Sequence, residues 1–441
     1  MNKNTDEGQT LMEKIVSLCK RRGFVFQGSE IYGGLAGMWD YGHYGAELAH
    51  NIKDLWWKHF VQEQENIFSL RSTTIMPEAV WKASGHVEGF ADPMSECEKC
   101  KNRFRTDQLE DKKTCPNCGG ALRSSEQFNL MFPIEAGSVA GEAQKAFLRG
   151  EIAQGMFVNF KNYLDTMHAT LPFGVAQIGI AYRNEISPRD FLFRVREFDL
   201  MEFEYFVKET EWEKYFEYWK DKMWEWIERV GIAKDKVHEL EVLEEDRAHY
   251  SKRTVDFEFD YPFGRKELYG LAYRTDYDLK KHMQESGVNL EYTDPVSGEK
   301  FIPHVIEPTF GVGRTVLAVL LSAYMEEGEG EDKRVLLKLK PSIAPVKAAV
   351  FPLLRNKPEL VQKAREVYVM LRKEIPQTMW DDNGNIGKRY RRQDEIGTPL
   401  CVTIDFQTLE DGMVTVRDRD TGKQERVKID VLTEYVKNII T

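Results

Sequence analysis

The sequence has no hydrophobic stretch that approaches the ~20 residues of a membrane-spanning helix. Its longest apolar run, Val316–Met325, is about half that length. The first ten residues, MNKNTDEGQT, also lack the apolar core of a secretory signal. Apolar residues nevertheless make up 42% of the chain, with 25 Phe, 18 Tyr and 9 Trp, which excludes a disordered or fibrous protein. We therefore expect a soluble, cytoplasmic protein of about two to four domains, with no membrane partner.

Positively charged residues are fewer than negatively charged ones. The 61 Lys and Arg residues face 72 Asp and Glu, and the net charge of −11 argues by itself against a nucleic-acid-binding protein. The balance is uneven, however. From Pro341 onwards 17 Lys and Arg face 15 Asp and Glu, and the basic excess is greatest in the run 388–392. This part of the chain could bind a polyanion, although a solvated helix face explains a single basic run equally well.

Cysteine is scarce, yet four of the six cysteines form two close pairs, Cys97-x-x-Cys100 and Cys115-x-x-Cys118. Four thiolates at this spacing can complete a tetrahedral Zn²⁺ shell and leave no position open for water, so the pattern predicts a structural zinc site. Disulfides are disfavoured because the chain shows no secretory signal. A redox-active Cys-x-x-Cys motif is a second alternative.

Hydrophobic periodicity predicts amphipathic helices over Gly45–Val61 and Glu211–Val230. Between them the pattern changes, and strands are predicted over Val175–Asn184 and Phe191–Val207, on either side of a turn. After residue 340 strands and helices alternate, and the sequence shows no internal repeat. We therefore place a domain boundary there, with one domain over 1–340 and a second over 341–441.

Charged side chains recur on the two predicted central strands. A period of two puts Arg183 and Glu185 on one face of the first strand. On the second strand the same period puts Arg194 and Arg196 on one face, together with Glu202. Charges on one side of a sheet are costly to cover unless the ligand is charged too. A charged ligand site and a solvated sheet face are equally compatible with this spacing.

A glycine-rich turn follows a later predicted strand. Gly311-Val-Gly313-Arg314 stands between that strand and an apolar helix, so an arginine falls in the first turn of the helix. As a dinucleotide-binding fingerprint the motif is incomplete, and a structural turn is the simpler interpretation.

Taken together, these segments resemble the three signature motifs of class II aminoacyl-tRNA synthetases. The resemblance to the single-chain, dimeric glycyl-tRNA synthetases extends over nearly the whole chain. The three motifs are matched by Trp39–Trp57, Tyr182–Phe198 and Gly311–Arg314. Stretches that resemble this family in particular are Ser84–Phe90, Phe128–Phe132, Glu151–Gly155, Arg274–Asp278 and Gly387–Thr398. So many blocks in the right order are far more specific than any one of them.

The resemblance implies an α+β catalytic domain, with an antiparallel sheet flanked by helices, and a zinc-binding knuckle inserted over 92–125. It implies a C-terminal α/β domain that binds the anticodon of tRNA(Gly). Within that domain Lys388, Arg389, Arg391 and Arg392 are candidates for RNA contact. The first motif forms the dimer interface in the family, so a homodimer is also implied.

The resemblance also implies that the charged face of the two central strands binds ATP with Mg²⁺. It implies that Arg183 holds the α-phosphate and the amino-acid carboxylate, that Glu185 binds the adenine end, and that Arg314 grips the γ-phosphate. These three are the implied catalytic residues. The full ATP-binding set implied is Arg183, Asn184, Glu185, Phe193, Arg194, Arg196, Phe198, Glu267, Leu268, Gly311, Gly313 and Arg314.

Glycine is the implied amino-acid substrate. The residues implied to bind it are Arg105, Glu151, Phe198, Glu202, Arg274, Glu307 and Thr309. The implied reaction has two steps: glycine attacks the α-phosphate of ATP to form glycyl-adenylate, and the terminal hydroxyl of the tRNA then takes the glycyl group. Positioning and electrostatic stabilisation suffice for this chemistry. Because glycine is the smallest amino acid, a crowded pocket excludes larger ones without an editing domain.

The sequence departs from the family at a few positions. His43 and Gly150 stand where proline is usual, Thr309 stands for serine, and Gly313 stands for an acidic residue. Two alternatives to a glycyl-tRNA synthetase remain at this point. One is a catalytically silent relative that binds nucleic acid as an accessory subunit, which would not need the complete ATP-binding set. The other is a sibling enzyme for threonine, proline or histidine, against which the three implied pocket glutamates argue.

Overall fold

The computed structural model describes residues 3–124, 127–138, 143–328 and 334–440. Within these ranges the helices are α1 Lys3–Arg22, α2 His43–Trp57, α3 Glu78–Ala83, α4 His86–Gly89, α5 Ala153–Val158, α6 Phe160–Met167, α7 Trp212–Arg229, α8 Tyr277–Ser286, α9 Val312–Ala323, α10 Pro358–Glu374, α11 Ile386–Ile396, α12 Phe406–Asp411 and α13 Ile429–Ile440. None of these described helices is long and apolar enough to cross a membrane. Residue 125, the predicted end of the cysteine-bearing insertion, lies outside the described residues.

The strands in the same ranges are β1 Val25–Gln27, β2 Trp39–Tyr41, β3 Ile67–Ser69, β4 Ile75–Pro77, β5 Ala91–Asp92, β6 Met94–Cys97, β7 Arg103–Arg105, β8 Leu122–Ser124, β9 Phe128–Asn129, β10 Phe132–Ala136, β11 Gln144–Leu148, β12 Phe173–Tyr182, β13 Glu197–Val207, β14 Val237–Glu241, β15 Arg253–Tyr261, β16 Gly264–Thr275, β17 Tyr292–Thr293, β18 Lys300–Phe301, β19 His304–Gly311, β20 Tyr324–Glu327, β21 Arg334–Leu337, β22 Ala348–Pro352, β23 Thr378–Trp380, β24 Leu400–Ile404, β25 Met413–Asp418 and β26 Gln424–Lys428.

A large central sheet organises the first part of the chain. Within the described residues its strand order is β14-β15-β16-β19-β13-β12-β3. Every neighbouring pair is antiparallel except β3 with β12, which is parallel. The predicted antiparallel sheet is therefore present, with one short parallel strand added at its edge.

One face of the central sheet is covered by α2, α7 and α9 and forms the main hydrophobic core. Apolar residues that recur every 3.6 positions lie on one side of each helix, and every second residue of a strand lies on one face of the sheet. The apolar sides of the helices pack on that face. Trp56, Phe60 and Phe310 are fully buried at this contact, and the Trp56 ring lies 5.4 Å from that of Phe60 and 5.9 Å from that of Phe310. The sequence placed both α2 and α7 correctly, and a π-helical turn at Lys58–Gln62 extends α2.

The second predicted central strand was placed wrongly at its start. It begins at Glu197, because Asp190 and Phe191 both adopt positive φ angles, 60° and 57°, and turn the chain sharply. Residues 191–196 then form a loop over the sheet. The alternation argument that put Arg194 and Arg196 on one face of a strand with Glu202 therefore does not hold, although Glu202 itself is on β13.

The C-terminal part has its own sheet and its own core. The strand order is β23-β22-β24-β25-β26 within the described residues, with β22 parallel to both β23 and β24 and the other pairs antiparallel. Helices α10 and α13 bury Leu360, Val367 and Leu432 on one face. On the other face α11 packs Tyr390 against Phe351. This is a mixed α/β arrangement, as the resemblance implied.

We expect Trp56→Ala to lower the free energy of unfolding by about 3–5 kcal/mol, because it removes the largest side chain from the contact between α2 and the sheet and leaves a cavity. Urea titration followed by circular dichroism measures the change. Val296→Ala is the matched control: Val296 is 94% exposed, so its truncation should change the free energy by no more than about 0.5 kcal/mol. Equal effects of the two substitutions would contradict the assignment of this core.

Candidate active site

A cavity of about 510 Å³ lies on the face of the central sheet opposite the aromatic core. Its floor is formed by β13, β15, β16 and β19, and its rim by the loop after β12 and by residues of β5 and β7. Of the residues singled out by the sequence, those that line it are Arg105, Glu151, Arg183, Glu185, Phe193, Arg194, Phe198, Glu202, Glu267, Leu268, Glu307, Thr309, Gly311, Gly313 and Arg314. Asn184, Arg196 and Arg274 lie beside or beneath it.

Arg183 is positioned immediately after β12, where the chain leaves the sheet. The prediction that strand alternation puts Arg183 and Glu185 on one face is therefore wrong, because the strand ends at Tyr182. Its backbone N–H donates to the carbonyl of Arg196 at 2.9 Å, and its Nε donates to the carbonyl of Gly150 at 3.0 Å. The guanidinium lies 5.1 Å from the centre of the Phe90 ring and 5.3 Å from that of Phe198. These contacts hold the guanidinium between two rings in the cavity, where it can meet an anion.

Arg196 and Asn184 support this loop and do not reach into the cavity. The two Nη atoms of Arg196 donate to the carbonyls of Ala36 at 2.8 Å and Glu185 at 3.0 Å. The backbone N–H of Asn184 donates to the carbonyl of Leu130 at 2.8 Å. Both residues therefore hold the loop that carries Arg183 and Glu185 in place.

Several charged atoms at the cavity are buried without a hydrogen bond to any described residue. They are Nη1 of Arg194, Oε2 of Glu185 and Oε1 of Glu202. Leaving a buried polar group unpaired costs about 1–3 kcal/mol, and more for a charged one. A charged ligand that reached these atoms would relieve that cost, so the observation favours a ligand site over a solvated sheet face.

Arg314 occupies the first turn of α9, as the sequence predicted. Its Nη1 lies 3.1 Å from Oε2 of Glu267 and donates to the backbone carbonyl of the same residue, also at 3.1 Å. Its guanidinium stacks 4.6 Å from the centre of the Phe193 ring. Arg314 lowers the pKa of Glu267, so this end of the cavity joins a cation to an ionised carboxylate.

Asp256 belongs to the same end of the cavity and was not predicted from the sequence. It stands on β15, where it lines the cavity beside Glu267. Burial, with further contributions from Glu267 and Glu258, raises the pKa of Asp256 to about 7. No sequence signal marks this residue, because its position depends on how β15 pairs with β16.

The opposite end of the cavity is acidic. The hydroxyl of Thr309 donates to Oε2 of Glu202 at 3.0 Å. Glu307, two residues before Thr309 on β19, accepts from Nη1 of Arg274 at 2.7 Å. Burial raises the pKa of Glu307 to about 7, and Arg274 limits the rise.

Arg274 is fully buried beneath this acidic end. Its Nε and Nη2 each donate to Asp278 at 2.8 Å, and its guanidinium lies 3.7 Å from the centre of the Tyr250 ring. Arg274 therefore acts from below the cavity, through Glu307, rather than facing a ligand directly.

Glu151 completes the acidic end. Its two oxygens accept from Nε2 of His86 at 3.1 Å and from Nε2 of Gln154 at 2.8 Å. Burial alone would raise the pKa of Glu151, but His86 and Arg274 outweigh it and the pKa is lowered. His86 and Asp278 lie inside the family-like blocks 84–90 and 274–278, so those blocks were the available signal for them.

Two sequence departures agree with close packing around the cavity. A β-carbon on Gly313 would lie 3.0 Å from the carbonyl oxygen of Leu192, and one on Gly150 would lie 2.9 Å from the sulfur of Met131. Both distances are shorter than ordinary packing allows, so glycine fits these positions better than a larger residue.

The four paired cysteines come together beside the cavity, in the sheet β7-β6-β8 and its turns. The Sγ atoms of Cys97 and Cys118 are 3.5 Å apart, and those of Cys100 and Cys115 are 3.7 Å apart. Sulfurs in a tetrahedral shell with Zn–S bonds of about 2.3 Å lie about 3.8 Å from one another. The N–H of Cys100 helps to lower the pKa of Cys97 to about 6, which favours the thiolate. The donor set therefore fits a closed zinc site.

Arg105 connects this cysteine sheet to the cavity. It is the last residue of β7, and its Nη atoms lie 2.8 Å from Asp92 and 2.8 Å from Asp107. The two carboxylates fix the guanidinium at the cavity rim.

The basic run 388–392 falls on α11, and its members differ in accessibility. Lys388 and Arg391 are exposed, while Arg392 forms a forked bond with Asp381 at 2.7–2.9 Å. Arg389 is buried, and its guanidinium donates to the backbone carbonyls of 352, 382 and 384. The prediction of Arg389 as an RNA contact is therefore wrong: the residue braces the loop before α11.

We expect Asp256→Asn to become more stable relative to the parent protein as the pH rises from about 4 to about 7. A carboxyl whose pKa is raised in the folded state contributes stability below its unfolded pKa, and that contribution is lost as the pH rises towards 7. Asparagine does not titrate, so the variant does not lose stability in this way as the pH rises. Thermal unfolding of both proteins at pH 5, 6, 7 and 8, without nucleotide or Mg²⁺, measures the difference. A difference that stays constant with pH would contradict the raised pKa.

Comparison with known proteins identifies the family of the chain. Residues 141–324 match the tRNA synthetase class II core domain (G, H, P, S and T), and residues 347–439 match the anticodon binding domain. The chain is 46% identical to the glycine–tRNA ligase of Caldanaerobacter subterraneus subsp. tengcongensis and 47% identical to that of Clostridium acetobutylicum, in each case over 97% of this chain and 98% of the relative. It is 48% identical to the glycine–tRNA ligase of Thermobifida fusca, over 96% of this chain and 97% of the relative. The chain therefore belongs to the glycine–tRNA ligase family of class II aminoacyl-tRNA synthetases.

Proposed function

We propose that the protein is a glycine–tRNA ligase, which activates glycine with ATP and transfers the glycyl group to tRNA(Gly). The observation that carries the proposal is the polarity of the cavity. Three carboxyl groups, those of Glu151, Glu202 and Glu307, converge at one end. Arg194 and Arg314 lie at the other end, where Glu267 and Asp256 stand beside Arg314. Arg183 lies between the two groups. Glycine has an ammonium and a carboxylate, and ATP has a chain of phosphates, so the two substrates match this arrangement end to end.

In this proposal the ammonium of glycine binds among Glu151, Glu202 and Glu307, with the hydroxyl of Thr309 holding Glu202. The carboxylate of glycine points to Arg183. Glu202 lies opposite Thr309 and therefore diagonally across from Glu307 on the neighbouring strand, so their distance is fixed by the sheet. An amino acid with a larger side chain would have to displace a buried carboxylate, and this exclusion needs no editing site.

ATP occupies the other end in the proposal. Arg183 meets the α-phosphate, Arg194 and Arg314 meet the outer phosphates, and the ring of Phe198 stacks on the purine while Glu185 binds its amino edge. Arginine is suited to phosphate because its planar fork donates two parallel hydrogen bonds. Mg²⁺, which would enter with the nucleotide beside Glu267, would neutralise charge on the departing pyrophosphate.

The chemistry then depends on position. A carboxylate oxygen of glycine attacks the α-phosphorus, the bond to the β-phosphate oxygen breaks, and pyrophosphate leaves. In the second step a terminal tRNA hydroxyl attacks the glycyl carbonyl, and AMP leaves. Arg183 contacts both the nucleophile and the α-phosphate, so it holds the reacting atoms together and stabilises the charge that develops on the phosphate.

We further propose that Cys97, Cys100, Cys115 and Cys118 bind a structural zinc ion. The ion would hold the two cysteine turns together, and with them β7, on which Arg105 stands. The arrangement of Arg105 between Asp92 and Asp107 supports this view, because all three residues lie on or next to that small sheet. A four-thiolate shell leaves no open position, so no catalytic part is assigned to the metal.

The remaining parts of the proposal concern RNA, assembly and location. The C-terminal domain, from about residue 341, would bind the anticodon region of the tRNA, with Lys388 and Arg391 as exposed contacts on α11 and Arg392 held in place by Asp381. Residues 39–57, which resemble the first class II motif, would form a homodimer interface. Translation takes place in the cytoplasm, so the enzyme would act there.

We expect purified protein to catalyse ATP–pyrophosphate exchange with glycine, without tRNA, and not with alanine, serine, threonine or proline. Arg314→Gln should lower this exchange about 10²–10³-fold, as the loss of one donor to a developing charge does in other enzymes. Arg265→Gln is the matched control, because Arg265 pairs with Asp260 outside the cavity and should exchange at the parent rate. No exchange with any amino acid in a folded sample would favour the silent accessory protein instead.

We expect one zinc ion per chain, and we expect Cys115→Ser to lose it, because three thiolates leave the shell incomplete. Elemental analysis of the dialysed proteins measures the metal. Cys401→Ser is the control: Cys401 is a buried thiol of the C-terminal sheet, so that variant should retain its zinc. Stoichiometric zinc in Cys115→Ser would contradict the four-thiolate site.

A further inference from the structure

Glu204 is a buried carboxyl that neither the sequence nor the proposed mechanism uses. It stands on β13 two residues after Glu202, so its side chain is on the same face of the sheet. It is fully buried, and neither of its side-chain oxygens has a hydrogen-bond partner among the described residues. A buried carboxyl without a partner is uncommon and calls for an explanation.

The pairing of the strands places Glu204 next to the carboxyl groups proposed to bind the ammonium. Glu202 pairs with Thr309 and Tyr205 pairs with Ile306, so Glu204 falls opposite Glu307 on β19. On its other side it faces the apolar Val175 of β12. One side-chain oxygen from each of Glu202, Glu204 and Glu307 lies within 4.8 Å of the others. Glu202 and Glu307 line the cavity, whereas Glu204 lies behind them.

Charge in this region is unbalanced. The carboxyl groups that face one another here are those of Glu151, Glu202, Glu204, Asp278 and Glu307. Arg274 pairs with Asp278 and Glu307, and His86 pairs with Glu151. The other neighbouring polar groups are His282, which is bonded to Gln154, and Tyr250, whose ring covers Arg274. No described cation is left to pair with Glu202 and Glu204.

The two unpaired carboxyls differ in what surrounds them. Burial, together with Glu307 and Glu151, raises the pKa of Glu202 well above its usual range as well. Glu202 nevertheless accepts a hydrogen bond from the hydroxyl of Thr309 and reaches the cavity, and both features favour its charged form relative to that of Glu204. Glu204 has neither feature, so nothing offsets the free-energy cost of burying its charged form. Burial, together with Glu307 and Glu202, raises the pKa of Glu204 well above its usual range.

We propose that Glu204 is a protonated carboxylic acid that donates a hydrogen bond to the pocket carboxylates, for which Oε1 of Glu202 is a buried and unpaired acceptor. The proposal rests on the assignment of this pocket to glycine. A proton kept on the innermost of three close carboxyls removes one negative charge, which lowers the cost of ionising Glu202 and Glu307 so that they can meet the ammonium. Glu204 is thus a positioning residue that acts through Glu202 and Glu307.

The test compares two substitutions that both remove the charge. Methionine matches the size of protonated glutamate but cannot donate, so Glu204→Met should raise the KM for glycine about tenfold or more, with little change in the KM for ATP. Glutamine restores a neutral donor, so Glu204→Gln should bring the KM for glycine back towards the parent value. Glu202→Gln, the same change two residues away, should raise that KM strongly because it removes a charge that meets the ammonium. Steady-state ATP–pyrophosphate exchange measures all three.

The protonation state of Glu204 in the free protein can be measured without an activity assay. The infrared spectrum of the parent protein minus that of Glu204→Gln should show the carbonyl band of a protonated carboxylic acid, in the absence of glycine. A carboxylate band in its place would overturn the proposal, whether or not the methionine variant folds. An increase in the KM for glycine in Glu204→Gln as large as in Glu202→Gln would also overturn it, because it would mean that Glu204 is charged. Absence of glycine exchange in the parent would instead overturn the proposed function, and the infrared band would still decide the protonation of Glu204.

Discussion

The acidic end of the cavity depends on one buried interaction, the forked bond between Arg274 and Asp278. A guanidinium with no exposed surface is tolerated only when its donors are satisfied, and here Asp278 takes two of them and Glu307 a third. The bond ties β16 and α8 to β19, so the same contact that neutralises part of the negative charge also fixes the floor of the pocket. Removing either partner would leave an uncompensated charge in the interior and would release Glu307 from its place.

The central sheet has a rigid apolar core on one face and the charged pocket on the other. Along β13 the residues alternate: Met201, Phe203 and Tyr205 face the aromatic core, whereas Glu202 and Glu204 lie on the opposite face, where Glu202 lines the pocket. The core under α2 and α7 is dense in tryptophan and phenylalanine, and such packing resists displacement of the strands. Charged groups on the other face are therefore held at distances set by strand pairing, which long side chains on loops would not achieve.

Sequence patterns predicted the parts of the structure that depend on local periodicity or spacing. The helices α2 and α7, the arginine in the first turn of α9 and the approach of the four cysteines all follow from residues close in the chain. The start of β13 was wrong because Asp190 and Phe191 adopt positive φ angles that their side chains do not signal. Arg389 was misassigned because its burial depends on carbonyls of a distant strand and of the loop before α11. Asp256 and Glu204 escaped notice since their neighbours come from strand register, which a single sequence does not show.

Of the three arginines at the cavity, Arg183 has the position best suited to bind the carboxylate of an amino acid. Arg274 lies too deep to meet a ligand, and Arg314 is engaged with Glu267 at the far end. Of these three, Arg183 lies between the acidic end and the end proposed to bind phosphate. It is held by Phe90 and Phe198 and by the carbonyl of Gly150. Aromatic rings on either side shield the guanidinium from water, which strengthens its attraction to an anion. In the proposed binding mode, a zwitterion held by its ammonium at the acidic end would place its carboxylate towards this guanidinium, so the electric field of the pocket would orient the nucleophile before ATP is in contact with it.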